Sequence, residues 1–224
     1  MGYYIDLKSI SIDAYKDILK TKTFIPSWKI LENDIDKNLN ILKAHQINNL
    51  DELLITLKDK SKIQEFSKQS GLPENYLAVL KRVVKGYRPK PNRIKDFTCI
   101  SEDIVLKLEK TGIKNTLKLY DEILTDEIRS QLSRKAGISD NEIMKLTKLT
   151  DLSRIRWVNH TFAYVLLESG YDTAEKVAKA DYQELYETIK QLNNERKIYN
   201  AHIGVNDMKM IIESAQSLGF EIEY

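Results

Sequence analysis

Residues 152–173 read Leu-Ser-Arg-Ile-Arg-Trp-Val-Asn-His-Thr-Phe-Ala-Tyr-Val-Leu-Leu-Glu-Ser-Gly-Tyr-Asp-Thr, and this stretch decides the fold. Ile155, Val158, Phe162, Ala163 and Leu166 fall at helical spacing on either side of a tight turn, and Gly170 supplies a left-handed stop. It reads as a hairpin of two short helices. The chain carries an echo 58 residues earlier, where Phe97, Ile100, Ile104, Val105, Leu108 and Gly112 stand over Ile155, Val158, Phe162, Ala163, Leu166 and Gly170, and Asn115 stands over Thr173.

A second echo has a spacing of 66 residues: Phe66, Ser67, Gly71, Asn75, Leu77 and Leu80 lie over Leu132, Ser133, Gly137, Asn141, Ile143 and Leu146, and Asn49 lies over Asn115. Self-similarity at such spacings is the mark of stacked repeats, each too small to bury its own apolar face. Each unit reads as a helical hairpin, a linking helix ending at glycine, and a further helix. Pro73 suits a first turn, and Ser139 with Glu142 has the spacing of a capping box. The third unit is looser, with a helix through Tyr182, Leu185, Ile189 and Leu192 and a closing helix from about Asn206 bearing Met208, Ile211, Ile212 and Ala215.

The expected fold is therefore all-α. Residues 1–30 form an N-terminal segment with a short helix capped by Ser11 and a helical stretch opened by Pro26. Residues 31–94 form the first repeat with a basic linker, 95–151 the second, 152–218 the third and 219–224 a tail. Residues 3–7 and 220–224 have strand-like patterning, which predicts a short β ribbon joining the two ends.

Composition agrees with helices. Of 224 residues 42% are apolar and 30% charged, enough to bury a sizeable core, while only 8 are glycine and 4 proline. Cys99 is the only cysteine, which excludes an internal disulfide framework and a multi-cysteine metal site and fits a reducing compartment. No apolar run approaches the roughly 20 residues of a spanning helix, no secretory signal opens the chain, and Asp6 stands where N-myristoylation requires Ser or Thr. A cytoplasmic protein is expected.

At the hairpin residues the sequence resembles the helix-hairpin-helix superfamily, and more closely domain-of-unknown-function family 4332, over about residues 31–218. The resemblance implies tandem helix-hairpin-helix-like (SAM-like) repeats. Its pattern is an apolar residue, Gly, an aliphatic residue and Gly at the hairpin tip, then Ala and Leu, then Gly and Thr. Ile155, Val158, Ala163, Leu166, Gly170 and Thr173 satisfy it, whereas Trp157 and Asn159 occupy the two tip glycine positions. In the second unit those positions are Cys99 and Ser101. Hairpins that bind DNA bring backbone N–H groups close to a phosphate, and Trp157 obstructs that approach. Asn159 tolerates the left-handed conformation, so the turn is expected to place it there.

Two clusters are candidate binding surfaces. Lys81, Arg82, Lys85, Arg88, Lys90, Arg93 and Lys95 run without an acidic residue around Tyr87, with Pro89 and Pro91 stiffening the middle. This segment suits a phosphate backbone; a solvated helix end followed by a stiff linker is the commoner outcome for such runs. Arg154, Arg156, Trp157, Asn159 and His160 combine cations with an aromatic surface for a partner or a base, while packing of Trp157 and pairing of the arginines with Asp151 or Glu168 is the structural alternative.

No catalytic set emerges. His45, His160 and His202 are far apart, no pair has metal-ligand spacing, and no phosphate loop is present. Neither a cofactor nor a metal, a membrane or a small-molecule substrate is expected. Cys99 is reactive only if exposed; a half-buried structural thiol is commoner. The sequence thus points to a non-enzymatic helical repeat module that binds a macromolecule. Proteins come ahead of nucleic acid because the tips lack glycine, and an enzyme with a site between repeats is the least favoured reading.

Overall fold

Side-chain caps divide the chain into helices before any packing is considered. Ser11, Asn49, Asp59, Ser101, Asn115, Thr125, Ser139, Asn159, Thr173 and Asp181 each accept a hydrogen bond from a first-turn amide, satisfying a donor that a helix start otherwise leaves orphaned. The structure, a computed structural model, describes residues 2–224. Helices are the only extended regular elements among the described residues, so the fold is all-α.

The chain forms two compact units. One is Asp6–Arg88; the other joins the residues up to Ile5 with Pro89–Tyr224. The first unit holds α1 (Ile12–Thr21), a 3-10 helix at Pro26–Glu32, α2 (Ile35–Ala44), α3 (Leu50–Thr56), α4 (Lys60–Ser70) and α5 (Glu74–Lys85). Its core is built from Tyr15, Leu31, Leu39, Leu42, Leu50, Leu53, Leu77 and Leu80. The second unit holds a 3-10 turn at Ile94–Asp96, α6 (Glu102–Lys110), α7 (Thr116–Tyr120), α8 (Asp126–Ala136), α9 (Asp140–Leu152), α10 (His160–Glu168), α11 (Ala174–Ala178), α12 (Tyr182–Arg196) and α13 (Val205–Gln216). One hydrophobic core runs through it, from Phe97 and Leu108 through Leu146 and Leu166 to Ile189 and Ala215. Truncating a fully buried leucine such as Leu166 costs about 2–5 kcal/mol.

Backbone geometry repeats in the register read from the sequence. Gln46, Gly112 and Gly170 follow α2, α6 and α10 with φ of 63°, 88° and 86°. Asn49, Asn115 and Thr173 then cap α3, α7 and α11. The helices α4, α8 and α12 end in left-handed residues Gly71, Gly137 and Lys197. Ser67 and Ser133, four residues before the two glycines, donate their hydroxyls to the carbonyls of Leu72 (2.6 Å) and Ile138 (2.8 Å).

Two expectations are corrected. The two ends form no ribbon: no strand exists among the described residues. Each end instead has partners in the second unit, with Tyr3 donating to or accepting from the Thr116 hydroxyl (2.7 Å) and the Glu223 amide donating to the Leu124 carbonyl (2.9 Å). The stretch opened by Pro26 is helical as expected, in the 3-10 form. Residues 153–158 are successive turns, so the first arm of the third hairpin is the end of α9.

Candidate partner-binding surface

The third hairpin turns because α9 stops at Leu152 and three reverse turns follow. The amides of Arg154, Ile155 and Val158 donate to the carbonyls of Asp151 (3.1 Å), Leu152 (3.2 Å) and Ile155 (3.1 Å). Ile155 and Val158 point into the core and fix the turn from below. The left-handed residue is Trp157, with φ of 69°, and not Asn159. Asn159 is extended (φ −80°, ψ 175°) because its Oδ1 accepts the Phe162 amide at 2.9 Å and caps α10. A cap needs extended backbone, so the reversal of direction falls two residues earlier.

A tryptophan at positive φ costs about 1–2 kcal/mol relative to the right-handed region and persists only where its surroundings over-determine it. They do so here. The Arg156 amide donates to the Ser214 hydroxyl of α13 at 2.9 Å, and the Arg156 guanidinium carbon lies 4.4 Å from the centroid of the Trp157 ring. Arg156 is buried along its length, whereas Trp157 is 42% exposed. His160 meets Phe97 edge-on at 6.3 Å. The tip therefore presents a partly exposed indole with the Arg156 guanidinium against it and the exposed Asn159 beside it.

Arg154 is not part of that surface. It is 2% exposed and acts as a strut: Nη1 donates to Asp151 Oδ1 (2.9 Å), Nε to the Tyr3 carbonyl (3.3 Å) and Nη2 to the Gly219 carbonyl (2.8 Å), with its guanidinium 4.8 Å from the Tyr120 ring centroid. Asp151 Oδ2 accepts the Ala174 amide (2.8 Å) and the Tyr224 hydroxyl (3.0 Å). Burial, then the Asp151 charge, pushes the Tyr224 phenol well above its ordinary pKa, so it stays a donor. Ser214 and the chain-end carbonyls are the members of this arrangement that the sequence did not reveal, since no local spacing links them to residues 154–156.

The basic run divides between the units, with Lys81, Arg82, Lys85 and Arg88 in one and Lys90, Arg93 and Lys95 in the other. Four of the seven are engaged. Lys81 donates to the Lys58 carbonyl (2.7 Å), Arg82 to the Ser27 carbonyl (3.1 Å), Arg88 to Asp51 (2.9 Å), and Arg93 holds Asp96 in a fork of two bonds of 2.8 Å. The Arg93 guanidinium keeps the Asp96 carboxyl below its ordinary pKa. Tyr87 is buried, edge-on to Tyr15 at 6.4 Å. Lys85, Lys90 and Lys95 are exposed and make no hydrogen bond or ion pair within the protein.

Among the described residues, no group of His, Cys, Asp and Glu side chains is placed to hold a metal ion. Cys99 is half-buried, its thiol pushed up by burial, and its carbonyl accepts the Lys145 ammonium at 2.7 Å; it is placed as a structural thiol. No helix among the described residues is long and apolar enough to cross a membrane.

A model of the family described as "Domain of unknown function (DUF4332)" matches residues 98–218, more than half of the chain. Neither the curated proteins nor the solved structures contain a match.

Proposed function

The chain belongs to the DUF4332 family, and from that premise we propose that it is a non-enzymatic helical repeat module that binds a protein partner through the tip of its third hairpin. One observation carries the reading: Trp157 is exposed, held at positive φ and stacked against Arg156. Tryptophan and arginine dominate the energetics of protein interfaces, and a side chain fixed before binding loses little rotamer freedom on contact. Strain kept at an exposed position is what a recognition site, rather than a packing position, requires.

The test uses the full chain. A protein co-purifying with the tagged wild type from its native cells is reconstituted with the pure chain, and affinity is measured against Trp157→Ala. Loss of about 30-fold or more is expected for a hot-spot residue, with thermal melts showing that the variant remains folded. A partner that binds Trp157→Ala as tightly as wild type removes the tip from the reading.

The nucleic-acid reading rests on Lys90 and Lys95, the exposed cations of the basic run in the second unit that make no ion pair in the protein. Two phosphate contacts give log K against log[salt] a slope of about −1.8 on duplex DNA. A random-sequence duplex that binds with that slope, and loses it in Lys90→Ala/Lys95→Ala, transfers the function to this segment.

A further inference from the structure

The connection between the last two helices of each repeat is three residues long in the first two repeats (71–73 and 137–139) but eight in the third (197–204). The longer connection is built, not loose. The Asn193 side chain, standing where Ser67 and Ser133 stand in the other repeats, both accepts the Tyr199 amide (2.8 Å) and donates to the Tyr199 carbonyl (2.7 Å). The Tyr199 ring is anchored edge-on to Phe162 at 5.4 Å. Held in this way, the loop leaves a cavity of ≈ 170 Å³ against α12.

Buried Ile189 and half-buried Tyr186 and Ile203 give this cavity an apolar side; exposed Lys190, Asn194 and His202 give it a polar one. No carboxylate lines it among the described residues, and Asn194 and His202 have no hydrogen-bond partner in the protein. The Lys190 ammonium lies 5.3 Å from the Tyr186 ring centroid, with Glu187 one turn back at a long 3.4 Å.

We propose that this cavity binds a small organic anion, an oxyanion headgroup on an apolar body of about one ring. Lys190 supplies a charge-assisted hydrogen bond to the oxyanion, Asn194 and His202 supply further N–H donors, and Ile189, Tyr186 and Ile203 cover the body. Drug-sized sites enclose about 300–1,000 Å³, so the occupant here is smaller. The pocket is absent from the sequence because its lining is split between a helix face and a loop whose path is set by Asn193. It is independent of the Trp157 tip.

Benzoate and phenyl phosphate serve as probes, with benzyl alcohol as the neutral control, followed by NMR of the histidine ring C–H signals. Both or one of the anions should shift His202 saturably, with roughly millimolar affinity for a ligand of this size, and leave His45 and His160 unmoved. The preferred anion identifies the headgroup as carboxylate or phosphate. Lys190→Gln should weaken binding about tenfold or more, Asn194→Asp should weaken it by adding a like charge, and Lys176→Gln should leave it unchanged. The proposal is overturned by any of three results: no saturable His202 shift with either anion, equal affinity for benzyl alcohol, or unchanged affinity in both Lys190→Gln and Asn194→Asp.

Discussion

In the first two repeats the leading amide of the second hairpin helix pairs with a backbone carbonyl, whereas in the third it pairs with a carboxylate. Leu50 donates to the Ile10 carbonyl (3.1 Å) and Thr116 to the Asn92 carbonyl (2.9 Å); at the equivalent place Ala174 donates to Asp151 Oδ2 (2.8 Å). The cause lies upstream. Ile10 and Asn92 lie in non-helical segments upstream of the first two hairpins and offer a spare carbonyl, but α9 runs straight into the third hairpin and offers none. A buried carboxylate fills the gap, and a buried charge needs compensation. Arg154 and the Tyr224 hydroxyl provide it. One register can thus be closed by neutral or by charged groups, and the charged closure reaches through Arg154 and Tyr224 to both ends of the chain.

The largest effect is expected at that carboxylate. Asp151→Ala leaves Arg154 buried without its counter-charge and should destabilise the protein by about 3–5 kcal/mol, measured by urea unfolding at neutral pH. A cost under about 1 kcal/mol would erase the contrast between the repeats.

A smaller effect tests whether the joints correspond. Gly170 sits at φ 86° with open space where a Cβ would point, so Gly170→Ala should cost about 1–2 kcal/mol for conformation alone. Gln46 holds the same place in the first repeat at φ 63°. Gln46→Gly should be neutral or mildly stabilising, since relieved strain is offset by the added freedom of the unfolded chain. Thermal melts that show Gly170→Ala unchanged would mean that the two positions are not equivalent.

The smallest effect concerns Asp172, which stands where the first two repeats have Asn48 and Lys114. Burial raises its pKa, but hydrogen bonds from Lys148 (2.5 Å) and Lys176 (2.6 Å) outweigh that and hold the carboxyl below its ordinary value. A depressed folded-state pKa contributes stability that is complete above the unfolded value of about 3.9 and is lost as pH falls through the folded one. Asp172→Asn should therefore cost up to about 1 kcal/mol at neutral pH, and the difference from wild type should vanish under acid. A gap that persists unchanged at pH values well below the carboxylate range assigns the loss to packing instead.

Much of this fold was legible because glycine and short polar residues announce backbone geometry locally. Gly71 and Gly137 are equivalent left-handed stops, and Asn115 and Thr173 equivalent caps, as their spacing implied. The tip was misread because two roles compete for Asn159. Asparagine suits both a left-handed turn and an extended cap, and the choice is made by Ser214, Ile155 and Val158, which hold Trp157 in the turn from outside the local sequence. The end ribbon was misread for a related reason: alternation at 3–7 and 220–224 records one buried side, and that side faces helices rather than a second strand. The basic run showed its charge but not its partners, since Asp51, Lys58 and Ser27 are remote in sequence.

Tyr3 is bonded to Thr116 across 113 residues and to Arg154 across 151, and all three belong to one compact unit. The polypeptide leaves that unit after Ile5, forms the other as Asp6–Arg88, and returns at Pro89. The unit formed by Asp6–Arg88 is one continuous stretch and draws its partners from within itself, whereas the other joins its two pieces only across that whole stretch, through bonds such as those of Tyr3 to Thr116 and Arg154. Closing the longer span carries little thermodynamic burden, because each doubling of a closed loop adds only about 0.6 kcal/mol of closure entropy. Its cost is kinetic, since non-local closure slows folding.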